Sequence, residues 1–205
     1  MTATLRELAP GRVPGVVRLN LGCGRNVQPG WVNIDMARLP GVDLIADLNE
    51  CRRVPLPYAD DSVDQFLLCH TLEHIQDSLG LMQELHRVAK PGANCVIHVP
   101  YGSSDDAFED PTHVRQYFLN SFGYFSQPFY WRADYGYRGD WQTERIELRV
   151  PKALTQNTTA QLLLARVNSE RNVVSEMVAT LRAVKPIREP KRELQAPAHI
   201  TFIGV

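Results

Sequence analysis

The chain predicts an α/β fold with a mostly parallel sheet, on three observations. Short apolar runs that end in glycine or an acid alternate with segments of helical periodicity. The first run, Val17-Arg18-Leu19-Asn20-Leu21, opens directly into Gly22-Cys23-Gly24. The run over 63–69 ends apolar, as a strand buried on both faces should.

The elements follow in order. Residues 16–21 form the first strand, 31–34 the second, ending at Asp35, and 43–47 a short third, again ending in an acid. Between the first two, 25–30 contains Pro29 and cannot hold a full helix, so a loop replaces it. The fourth strand is 63–69. Leu79, Leu81, Met82, Leu85 and Val88 recur at helical spacing over 76–88, and Lys90-Pro91-Gly92 stops that helix. Residues 93–100 form the fifth strand, followed by a long acidic loop over 101–112. A short helix begins near 120–125, and an aromatic-rich stretch runs from Phe129 to Trp141. The alternating segments 143–150 and 174–184 read as half-exposed strands at the sheet edge, with a helix over 159–167 between them. The apolar end, 200–205, can add a strand to this sheet or to a partner chain.

Composition narrows the function. The chain has 205 residues, 44% hydrophobic and 22% charged, with 22 basic against 23 acidic residues and a formal net charge of -1. That size suits one domain, and that balance lacks the basic face of a nucleic-acid binder. No apolar run approaches the ~18 residues of a membrane span, and residues 1–14 lack an apolar signal core, so the expectation is a cytoplasmic protein. Cys23, Cys51, Cys69 and Cys95 form no C-x-x-C pair, and no metal site is assigned.

Strands that run into glycine turns build nucleotide sites, because the missing Cβ lets the backbone approach a ligand. An acid at the tip of the next strand can accept both hydroxyls of a ribose. Five blocks in order carry this further: Leu19 to Gly24, Asn33-Ile34-Asp35, Ala46-Asp47-Leu48, Leu56-Pro57 through Asp64, and Leu72-Glu73-His74 with Glu84 through Gly92. In these blocks the chain resembles the class I S-adenosylmethionine-dependent methyltransferases of small-molecule type. The resemblance implies a Rossmann-like, seven-stranded, mostly parallel sheet with helices on both faces and an antiparallel edge hairpin. It implies a methyltransferase domain over 1–184 with a C-terminal tail over 185–205, and S-adenosyl-L-methionine as cofactor.

It also implies a site. Gly22, Cys23 and Gly24 would approach the methionine part, Asp35 with the adjacent Met36 would hold the ribose, Asp47 and Leu48 would face the adenine, and Cys69 and His70 would lie beside the sulfonium. Two positions depart from the family pattern: Asn20 stands where an acid is usual, and Asn26 where a third glycine is usual. Asn20 can still hydrogen-bond the ligand but brings no charge.

Three rival readings are weaker. His70-Thr71-Leu72-Glu73-His74 matches the inverted zinc-hydrolase motif, which needs both histidines on one helix face, whereas His70 directly follows a strand. A nicotinamide fingerprint would need glycine at Val27. A fold that binds without catalysis is the third, kept open by Asn20.

Residues after the fourth and fifth strands are candidates for the acceptor side: His70, His74, Tyr101, Asp105, Asp110 and His113. His113 is preferred as base or binder, since histidine titrates near neutrality; a loop-fixing hydrogen bond is the competing reading. Arg115, Tyr117 and Tyr124 would complete the wall, with the following aromatics as a lid or as core. His113→Ala should then lower turnover much more than cofactor affinity. The acceptor expected is a small polar molecule or sugar, accepting on oxygen or nitrogen; nucleic acid and membrane are not expected, and a homodimer is compatible with the apolar end.

Overall fold

A computed structural model of the chain describes residues 15–156 and 158–205. The N-terminal segment 1–14, read above as polar, lies outside them. Leu19, Leu21, Val32 and Ile34 are almost fully buried and drive the pairing of β1 (Arg18–Leu21) with β2 (Val32–Asp35), Asn20 opposite Asn33. β3 (Leu44–Ile45) extends the sheet from β2, and β4 (Val63–Cys69) pairs with β1 on the other side.

α1 (Ser78–Val88) starts at Asp77, whose carboxylate caps the Gly80 amide. It leads into β5 (Ala89–Pro100), so the helix stops before Pro91 as the sequence requires. Then come α2 (Asp106–Glu109), two 3-10 turns at Ser121–Phe125 and Gln127–Trp131, β6 (Trp141–Val150), α3 (Lys152–Thr155), α4 (Ala160–Ser169), β7 (Glu176–Ala183) and β8 (His199–Gly204).

The described residues form one sheet of eight strands, ordered β3-β2-β1-β4-β5-β7-β6-β8, with β7 alone antiparallel to its neighbours. The mixed α/β architecture is the expected one, and two details correct the expectation. The strand count is eight rather than seven, because the apolar end joins its own sheet as β8 beside β6. The β6–β7 hairpin is therefore internal: β7 pairs on both sides, and β8 with its exposed pattern is the edge. Alternation along 174–184 reports one more solvated face; it does not report an unpaired edge.

The crossover from β1 to β2 is a loop. Polar bonds hold it where a helix would pack: Asn20 Nδ2 donates to the Asn26 carbonyl (2.9 Å) and to Asn33 Oδ1 (2.8 Å), which also accepts the Gln28 amide (2.8 Å). Within the described residues no helix is long and apolar enough to cross a membrane.

Candidate functional site

Beyond the carboxyl ends of β1, β2 and β4 lies a cavity of about 380 Å3. Its wall includes Gly22, Asp35, Met36, Ala46, Asp47, Leu48, His70, Thr71 and His74, with Thr112 closing one side. Seven of the residues named from sequence thus meet at one hollow of the size that holds a small ligand.

The backbone shapes it. Gly22 has φ +62°, and a Cβ there would stand 2.3 Å from Thr71 Cγ2, so only glycine fits. Gly24 has φ +50°, and a Cβ there would meet nothing within 4 Å. Asp35 fixes this turn: Oδ2 accepts the Gly24 amide (2.7 Å) and Oδ1 the Ala37 amide (2.8 Å). Each oxygen keeps a lone pair, so the carboxylate can still accept a diol. Asp47 caps the turn Leu48–Glu50 by accepting the Asn49 amide (2.9 Å), which places Leu48 against the cavity.

Other predicted residues stand behind this wall. Asn20 is 1% exposed, and its amide is engaged by Asn26 and Asn33, so it braces the loop. The Asn26 side chain meets Gln28 (3.0 Å) at the surface. Cys23 is buried, and burial pushes its thiol up to about 11; Cys69 is likewise pushed up by burial. Neither is a thiolate at neutral pH.

His70 lines the cavity and is held between two carboxylates. It sits at φ +50°, a rare conformation for a side-chain-bearing residue. Its Nε2 meets Glu176 Oε1 at 2.8 Å and its Nδ1 lies 3.4 Å from Glu73 Oε1. These two carboxylates, Glu176 foremost, raise His70 to about 10. An imidazolium at neutral pH has no lone pair to take a proton. Burial opposes the charge on Glu176, but His70, His98 (3.4 Å) and Arg149 (2.6 Å) prevail and hold its carboxyl at about 2. Sequence reasoning missed Glu176; it opens β7, where the register sets it opposite Pro100 and Arg149.

His74 is oriented differently. Asp110 Oδ1 accepts the Thr112 hydroxyl (2.6 Å), so Thr112 Oγ1 accepts from His74 Nδ1 (2.9 Å). That chain leaves the His74 Nε2 lone pair free. His113 packs beside it, with ring centroids 4.7 Å apart, and points Nδ1 at the Ala107 carbonyl (3.4 Å). The Val114 amide donates to the Glu73 carbonyl (2.9 Å) and joins the two segments.

A second cavity, of about 730 Å3, opens beyond β5 and α1. Arg115, Tyr117 and Tyr124 line it together with Tyr101, Tyr130, Tyr135 and Arg171, whereas His113, beside which they were expected, is not part of its wall. The aromatic stretch divides: Tyr130 and Tyr135 face this cavity, whereas Tyr137 and Trp141 are core, the Trp141 indole donating to the Met82 carbonyl (2.9 Å). Asp105 is spent on Arg171 (2.7 Å) and Asn172 (2.8 Å).

Comparison with known proteins agrees with this fold. Residues 19–97 match the family model described as a methyltransferase domain. Ajmaline N-methyltransferase of Rauvolfia serpentina is 32% identical over 76 residues, 36% of this chain and 26% of that protein, so the match spans about a quarter of the relative's length. A SAM-dependent methyltransferase structure from Archaeoglobus fulgidus superposes with a TM-score of 0.55 at 15% identity, over 82% of this chain and 86% of that one. The cyclase SpnF superposes with a TM-score of 0.52 at 16% identity, over 83% and 76%. The chain thus has the Rossmann-like α/β fold seen in S-adenosylmethionine-dependent methyltransferases, and over residues 19–97 its sequence is similar to a methyltransferase domain.

Proposed function

We propose that this protein binds S-adenosyl-L-methionine in the smaller cavity and transfers its methyl group to an oxygen or nitrogen of a small polar acceptor held in the larger one. The observation that carries the reading is the convergence of Gly22, Asp35, Asp47 and Leu48 on one hollow. Bound S-adenosylmethionine supplies an electrophilic methyl group. Asp35 takes the ribose hydroxyls on its remaining lone pairs, and Asp47 with Leu48 borders the adenine. Cys23, Gly24, Asn20 and Asn26 act from behind by shaping the turn. His74 and His113 each keep a free Nε2 on the acceptor side.

The segment from Thr112 to Phe118 borders both cavities, Thr112 on the smaller and Arg115 to Phe118 on the larger. A rim of tyrosines with Arg115 and Arg171 suits a planar or sugar-like acceptor bearing polar or anionic groups. Ajmaline N-methyltransferase, named for a small nitrogen acceptor, supports that class. Alignment of acceptor and methyl group then supplies much of the rate.

The test is calorimetric titration with S-adenosylmethionine and S-adenosylhomocysteine, wild type beside Asp35→Ala. Micromolar binding, lost in the variant, is expected. A second reading, a fold that binds without catalysis, draws on the uncharged and structurally engaged Asn20. It predicts no binding of either ligand, or binding with no transfer to any of a panel of sugars, amines and phenols.

A further inference from the structure

We propose that Glu73, His74 and His113 hold a divalent transition-metal ion at the boundary between the two cavities. One ligand atom from each lies within 4.8 Å of the others. Ligands across a metal with bonds of ~2.1 Å stand ~4 Å apart, so small side-chain rotations close the set on an ion.

Glu73 carries the argument. It is 1% exposed, and neither carboxylate oxygen has a hydrogen-bond partner among the described residues. Its nearest charge is the His70 imidazole at 3.4 Å, and His70 is committed to Glu176 at 2.8 Å. A buried carboxylate with no hydrogen bond is costly unless something else satisfies it.

The two histidines are arranged as ligands rather than as packing. Each directs Nδ1 to an oxygen, His74 to Thr112 (2.9 Å) and His113 to Ala107 (3.4 Å), which leaves Nε2 as the donor atom in both. Outer hydrogen bonds of this kind fix the tautomer of metal-bound histidine. Asp110 stands behind His74, accepting from Thr112 (2.6 Å), and its other oxygen lies 3.9 Å from His113 Nε2, on the ligand side of that ring.

Two imidazoles and one carboxylate leave positions open, the pattern of catalytic rather than structural sites. Imidazole favours Zn2+, Fe2+ or Co2+ over Mg2+. The open positions take water or an oxygen of the acceptor, so the ion would orient the acceptor beside the cofactor cavity that His74 lines. This ligand set differs from the His70-Glu73-His74 motif: His113, 39 residues beyond His74, takes the place of His70, whose Nε2 is committed to Glu176 at 2.8 Å. In its placement of the acceptor the proposal rests on the functional reading above; the metal site itself does not.

The experiment is zinc binding by competition with a chromophoric chelator, and zinc content after dialysis, on the whole chain and on His74→Ala, His113→Ala and Glu73→Gln. One Zn2+ per chain, no comparable Mg2+ binding, and at least tenfold weaker zinc binding in each variant are expected, with a melting point raised by zinc in the wild type alone. Absence of zinc binding in a wild type that melts cooperatively overturns the proposal. So does equal zinc binding by His74→Ala and His113→Ala, which are closer to the surface and spare the fold if Glu73→Gln does not. S-adenosylhomocysteine titration of the same samples separates the two readings: Asp35→Ala should lose that ligand and keep zinc.

Discussion

The two cavities are built by different means. Backbone makes the smaller one: the Gly22 turn, the Asp35 and Asp47 amide contacts, and strand ends fixed by the parallel register. Side chains make the larger one, most of them projecting from the irregular stretch between β5 and β6. A site made of backbone tolerates few sequences and so leaves a motif. A site made of side chains can change its ligand without changing the fold.

The largest predicted effect tests what holds the side-chain cavity in place. Asp140 is fully buried and takes two bonds from the Arg188 guanidinium of the C-terminal tail, both 2.8 Å, and one from the Arg188 amide (3.0 Å). It also accepts Ser126 and the Gln127 amide (each 3.3 Å), in the turns that carry Tyr124 and Tyr130. Arg188→Ala leaves that buried carboxylate without its counter-charge and should lower stability by about 3–5 kcal/mol, read by urea denaturation. Loss below about 1 kcal/mol would show that the tail does not fasten this wall. S-adenosylhomocysteine affinity of the folded fraction should be unchanged, because the smaller cavity has its own supports.

Gly22→Ala is the complementary test. A non-glycine residue at φ +62° costs about 1–2 kcal/mol, and the added methyl collides with Thr71. S-adenosylhomocysteine should bind about tenfold more weakly or worse. Thr71→Ala in the same chain removes the two closest clashes, leaving a Cβ contact of 3.0 Å, and should restore part of the loss; no restoration would place the damage mainly in the backbone at φ +62°.

Much of this was legible in the sequence because β1, β2 and β4 end in residues whose chemistry is local. Val63 to Cys69 is the strand predicted, and Thr159 caps the helix expected to begin there. The rest depends on contacts between distant segments. The pairing of His74 with His113 needs the Val114–Glu73 bond, and the His70 cage needs Glu176 from the other half of the chain. The eighth strand was left open because an apolar end fits a neighbour's sheet as well as its own.

A smaller effect separates the cavities kinetically. Arg115→Ala and Tyr124→Ala should leave S-adenosylhomocysteine affinity within about twofold while lowering methyl transfer from radiolabelled cofactor to the best acceptor of a panel by about tenfold, the scale of one lost charged or aromatic contact. Equal loss of cofactor binding would merge the two cavities into one site.

The smallest effect concerns pH, and it tests the cage around His70. His70 is raised from an ordinary 6.5 to about 10 by Glu176 and Glu73, and Glu176 is lowered from 4.5 to about 2. A raised histidine stabilises the fold fully below 6.5 and loses that contribution as pH climbs through 10; a lowered carboxylate stabilises above 4.5 and loses its contribution as pH falls through 2. The pair is therefore complete between pH 4.5 and 6.5 and erodes on either side. In an NMR titration the His70 ring should stay protonated past pH 8, and in Glu176→Gln it should titrate nearer neutrality, because its shortest hydrogen bond to a charge is gone. Should His70 in the wild type titrate near 6.5, the cage is not formed in solution, and His70 returns as a group able to take a proton from the acceptor.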